Sequence, residues 1–139
     1  ATMPGRAMVV AAGLTLMLLG VTAGWTQTDL AKLLVGRWTG DLRTETGTYD
    51  RTLVVKSIDD RSGQLVTTAE YGDRKLAPVL GVVEMVNGEI VLRFTTPERR
   101  TAVLTLYRDG KNLMGPVSGA GQVGMHRGGD DSLRLKKVD

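Results

Sequence analysis

From residue 36 onward the chain alternates apolar and polar positions, and turn-forming residues interrupt the alternation at strand-length intervals. In GEIVLRFT, Ile90, Leu92 and Phe94 share one face, while Glu89, Val91, Arg93 and Thr95 share the other. In TAVLTLY the inward set is Ala102, Leu104 and Leu106. Leu53 and Val55 oppose Thr52, Val54 and Lys56, and Leu65, Thr67, Ala69 and Tyr71 oppose Val66, Thr68 and Glu70. The stretch LAPVLGVVEMV is apolar on both faces, and its Pro78 and Gly81 mark an expected bend, bulge or edge.

This pattern predicts strands over 36–44, 49–58, 64–71, 75–86, 89–95, 101–107, 112–117, 122–127 and 132–138. Their connections carry turn chemistry at Thr46-Gly47, Asp59 to Gly63, Gly72-Asp73, Asn87-Gly88, Thr96-Pro97, Asp109-Gly110, Ser118 to Gly121 and Gly128 to Asp131. Asn87-Gly88 is the strongest signal, because both residues tolerate the positive φ that a two-residue type I′ hairpin requires. A meander of about eight or nine short strands must pair its two edges or expose them. The expected fold is therefore all-β, an antiparallel up-and-down barrel, with a two-sheet sandwich as the alternative.

Ahead of the strands, TQTDLAKLLVG reads as a short helix capped at Thr28 or Asp29, with Leu30, Leu33 and Leu34 at helical spacing and Gly36 as its stop. Residues 7–23, AMVVAAGLTLMLLGVTA, are uncharged and apolar, follow Arg6 and end in small residues. They read as a secretory signal peptide or, if retained, as a membrane anchor; a helix of that length spans only about 25 Å against a bilayer core of about 30 Å. The organisation expected is 1–23 signal segment, 24–35 lead-in and helix, and 36–139 barrel domain, with a secreted or periplasmic destination.

Composition narrows the functional classes. The chain of 139 residues has room for one core. Its formal charge of +3 includes Arg6, and its basic residues interleave with acidic ones, so there is no single-sign stripe for nucleic acid. The absence of cysteine excludes disulfides, thiolate metal sites and a cysteine nucleophile. His126 is the single histidine, and with Asp130 and Asp131 it makes a poor zinc set; Asp59-Asp60 lacks the spacing of a calcium loop. Ser118 or Ser132 with His126 and Asp130 forms a triad only by inventory, and Glu45 with Asp50 sits in turn regions. The glycine-rich SGAGQVGMHRGG follows no phosphate-loop pattern. No catalytic residue, metal or cofactor is expected.

Two segments, LVGRWTG (34–40) and LMGPVSG (113–119), share the pattern L-x-G-x-x-x-G. Glycine there is expected to serve tight bends of a coiled barrel, and Trp38 to cover one end of the core with its N–H bonded to an acceptor. A cation from the last strand is expected over the indole, first Arg134 and second Arg127.

A short helix, a first strand carrying G-x-W (Gly36, Trp38), a hairpin meander and a late basic strand resemble the calycin group of lipocalins and related small barrels. The resemblance covers most of residues 28–138, without the C-terminal helix of true lipocalins and without the several tryptophans of an avidin-type biotin site. It implies an exported module that binds a small apolar or amphipathic ligand, lined by Trp38, Leu53, Val55, Tyr71, Phe94, Leu104 and Leu106. The alternative expectation is an interaction module, an inhibitor or envelope-assembly subunit, with a filled core and with loops such as TPERR and GGDD meeting a protein partner. A membrane enters only if residues 7–23 are retained.

Overall fold

The computed structural model describes residues 26–119 and 131–138. Helix α1 (Gln27–Leu34) precedes a closed barrel of eight antiparallel strands that pair in chain order. These are β1 (Gly36–Thr44), β2 (Gly47–Arg61), β3 (Gln64–Gly72), β4 (Leu76–Val86), β5 (Glu89–Thr95), β6 (Thr101–Leu106), β7 (Asn112–Ser118) and β8 (Asp131–Val138). β8 closes the ring on β1, with Leu133 opposite Leu42 and Lys137 opposite Trp38. β7 pairs directly with β8, so the barrel closes on eight strands; the ninth strand expected over 122–127 lies outside the described residues.

The alternation assigns the core as the sequence predicts, except that Leu65 is only half-buried and Val91, on the opposite face, is buried as well. Leu53, Val55, Thr67, Ala69, Tyr71, Ile90, Leu92, Phe94, Ala102, Leu104 and Leu106 are all buried. β2 runs longer than expected because it pairs with β1 from Gly47 and with β3 out to Arg61, and its register with β3 shifts between Val55 and Ser57. That bulge resets the alternation and turns Ile58 inward as well. At the Asn87-Gly88 turn both residues have positive φ, 52° and 82°, as a type I′ hairpin requires. β4 presents Val79 and Val83 to the core and leaves Leu80 62% exposed on the outer wall.

The helix begins earlier than the sequence reading placed it. Thr26, rather than Thr28 or Asp29, is the N-cap, because its hydroxyl accepts from the Asp29 backbone N–H at 3.0 Å while the Asp29 carboxylate accepts from the Thr26 N–H at 3.2 Å. This reciprocal pair satisfies two otherwise orphaned donors. Leu30 and Leu34 then point into the barrel, and the Gln27 amide donates to the Ile58 carbonyl at 2.7 Å. The helix thus closes the end of the barrel at which β1 begins and β8 finishes.

One glycine of each motif has the same mechanical cause. A Cβ on Gly40 would lie 1.8 Å from the Arg134 carbonyl oxygen, and one on Gly115 would lie 1.8 Å from that of Val103. Both positions are where a neighbouring strand's backbone crosses close above a sharply coiled one, and only a residue without a side chain fits. Gly40→Ala is expected to force strands β1 and β8 apart and to lower unfolding stability by roughly 1–3 kcal/mol. Urea denaturation measures this, with Thr39→Ala on the same strand as the comparison that changes little.

Candidate functional site

The end of the barrel under α1 is built around Trp38. Its side chain is fully buried, and its indole N–H donates to the Leu34 carbonyl at 3.0 Å. The Lys137 ammonium lies 5.6 Å from the ring centroid and donates to the carbonyls of Leu33 at 2.8 Å and Lys32 at 3.2 Å. One cation thereby stacks on the indole and neutralises the negative end of the helix dipole. Arg134, the expected stacking partner, is exposed on the opposite face of β8. Strand alternation sends Leu133, Leu135 and Lys137 inward with Trp38, and Arg134 outward beside Asp41. Arg127, the second candidate, lies outside the described residues.

The seven residues expected to line a ligand cavity all face inward, but they do so as one packed core. Trp38, Leu53, Val55, Tyr71, Phe94, Leu104 and Leu106 expose between 0 and 8% of their surface and belong to a single cluster. With so little accessible surface, the side chains in the middle of the barrel border one another rather than a water-sized void. Tyr71 and Phe94 meet edge to face at 5.2 Å. Burial pushes the Tyr71 phenol above its ordinary pKa, an effect that the nearby Arg51 guanidinium partly offsets. An eight-stranded barrel can be filled by its own side chains or hold one small ligand, and Trp38, Tyr71 and eight fully buried leucines from the helix and strands fill this one.

Space opens where the helix stops short of the barrel's far rim. α1 lies against β2, so the opposite side of the same end is left between Leu33, the Asn87-Gly88 turn and the Tyr107 to Gly110 turn. A cleft of about 590 Å³ results. Leu33, Ile90 and Leu106 supply its apolar surface, and Glu89, Tyr107 and Arg108 its polar rim. Its size falls within the range of about 300–1,000 Å³ usual for small-molecule sites. Of the seven predicted lining residues, Leu106 borders this cleft; Ile90 and Leu33 were legible only as core positions, because the opening depends on where the helix ends.

At the other end of the barrel the TPERR turn is closed on itself. Thr96 and Arg100 exchange backbone and hydroxyl hydrogen bonds, and the Arg100 guanidinium is held by the Val117 carbonyl at 3.1 Å and by Asp131 at 2.6 Å. The residues proposed for a triad or zinc set do not assemble within the described chain: His126 and Asp130 lie outside it, and no three potential metal ligands gather among the described residues. Glu45 and Asp50 are exposed at the β1–β2 hairpin.

The chain matches no family model, and comparison with curated proteins and with solved structures gives no significant match. Its closed antiparallel eight-stranded barrel is compatible with the calycin layout at the level of architecture.

Lys137→Met is expected to lower stability by roughly 1–2 kcal/mol, since it removes a charged donor from two helix carbonyls and a cation from the indole. Hydrogen exchange should show the loss first as faster exchange at the end of α1. Arg134→Met, on the outer wall, should leave both readouts near wild type.

Proposed function

We propose that this chain is an exported, lipocalin-like barrel that holds a small apolar or amphipathic molecule, and that the molecule sits in the cleft at the helix-covered end rather than in the middle of the barrel. The cleft carries this reading: it is a concave site where the inward-facing Ile90 and Leu106 meet a rim with both a cation and an anion. Such a site shelters an apolar body and leaves a polar head at the Arg108 and Glu89 side. Export is supported by the apolar segment 7–23 behind Arg6.

The second reading, an envelope protein-interaction module, is favoured by two other observations. The barrel core is filled, and large apolar side chains stand on its outer wall, Leu80 at 62% and Tyr107 at 47% exposure.

Native mass spectrometry of protein exported from a full-length gene separates the two. The ligand reading expects loss of the N-terminal segment and a reproducible additional mass. Leu33→Asp, which puts a charge on the apolar side of the cleft, should reduce occupancy at least about tenfold while the fold is kept. A bare wild-type chain that also fails to take up decanoate or decanol in titration sinks the ligand reading.

A further inference from the structure

Among the described residues six large apolar side chains are exposed. Four of them, Met85, Val86, Tyr107 and Val138, stand at the one end of the barrel that α1 covers. Tyr49 and Leu80 stand singly elsewhere, which is ordinary for a protein surface. Met85 and Val86 lead into the Asn87-Gly88 turn, and Tyr107 opens the turn into β7. Both turns hold their side chains out from the barrel. Val86 pairs directly with Glu89 across the first turn. In the second, the Tyr107 backbone N–H donates to the Asn112 carbonyl at 2.9 Å, and the Asp109 carboxylate accepts from the Lys111 N–H at 2.7 Å and from the Asn112 amide at 2.8 Å. The two turns therefore flank the cleft as apolar-tipped projections.

The path of the chain is a second, independent observation. The apolar run 7–23 lies outside the described residues, and residues 24 and 25 alone separate it from the N-cap Thr26, a reach of at most about 11 Å. Whenever that run lies in a bilayer, the α1 end is the end of the barrel that faces the lipid. Cleavage after Ala23 leaves Trp25 joined to the same end, and tryptophan and tyrosine both favour the layer between headgroups and acyl chains. Charge does not choose the partner: around the two turns Glu89 and Asp109 offset Arg108 and Lys111. Separate apolar projections on a near-neutral surface are buried by a fluid layer without needing a surface of matching shape.

We propose that the α1 end docks on a lipid bilayer, with Met85, Val86 and Tyr107 entering the interfacial layer and the segment ahead of Thr26 attached to the same surface. The proposal goes beyond the ligand reading and does not rest on it. A membrane contact thus no longer depends on residues 7–23 alone. With the charges balanced, apolar burial carries the contact, and zwitterionic lipid suffices for it. Three side chains give a reversible contact, and the segment ahead of α1 sets how long it lasts.

The chain has no cysteine, so single introduced cysteines carry a fluorophore at one position each. Protein exported from the full-length gene is labelled at Glu89→Cys or Arg108→Cys, beside the two turns, or at Glu45→Cys or Glu98→Cys, at the far end, and mixed with phosphatidylcholine vesicles whose acyl chains are brominated. Labels at 89 and 108 should be quenched severalfold more than labels at 45 and 98, with little effect of added salt. The Val86→Ser, Tyr107→Ser double variant, with its folding checked by circular dichroism, should lower that quenching severalfold, and Leu80→Ser on the outer wall should leave it unchanged. Equal quenching at all four positions, or no association of the wild-type chain with the vesicles, overturns the docking face. Association that only phosphatidylglycerol supports and salt abolishes overturns the apolar mode. Labels at 89 and 108 that neither bromolipid nor aqueous iodide reaches mean that a protein surface, such as a second copy of the chain, covers this end, and overturn lipid as the occupant. The ligand reading is decided separately, by retained mass and decanoate uptake.

Discussion

The contact on which the rest of this barrel depends is the triangle of Trp38, Leu34 and Lys137. A buried indole cannot leave its N–H unbonded without a cost of roughly 1–3 kcal/mol, and the Leu34 carbonyl at the end of α1 is its acceptor. The same helix end collects the Lys137 ammonium, which bridges the last strand to the first helix over the face of the ring. One cluster therefore fixes three things: the closure of β8 on β1, the seat of α1 under the barrel, and the position of Leu33. The cleft exists because the helix is held to that side.

The filled interior and the two glycine motifs express a related constraint. A barrel of eight strands coils tightly, and where it coils most the backbones approach until a side chain has no room, as at Gly40 and Gly115. The tight coil leaves an interior packed with Trp38, Tyr71, Phe94 and the leucines. Space for another molecule then has to be found where the packing ends, at the helix-covered rim.

Much of the architecture was legible because it is periodic. Alternation placed the inward residues of β2, β3, β5 and β6, and the turn residues placed the hairpins. Trp38 was legible as an end-plug needing an acceptor. What escaped were features set by register and by local competition. The choice of Arg134 followed side-chain type and ignored parity, although Leu133 and Leu135 already give the inward phase of that strand. Thr26 was missed as the cap because the Asp29 carboxylate that completes its box also looks like a cap. The bulge after Val55 left no composition signal. Leu33, Ile90 and Arg108 are distant in sequence, and only the seat of α1 and the two turns bring them to one opening. Dimensions of an opening are not written in an alternation pattern.

The central claim is that the barrel is filled in its middle and receives a small molecule only at the helix-covered end. Methyl NMR with an apolar carboxylate such as decanoate, recording contacts between probe protons and labelled Leu, Ile and Val methyls, tests it most directly. The account predicts contacts to Leu33, Ile90 and Leu106 and none to Leu53, Leu104 or Val55. Strong contacts to Leu53 and Leu104 would contradict it, since they would mean that the core opens to admit the molecule.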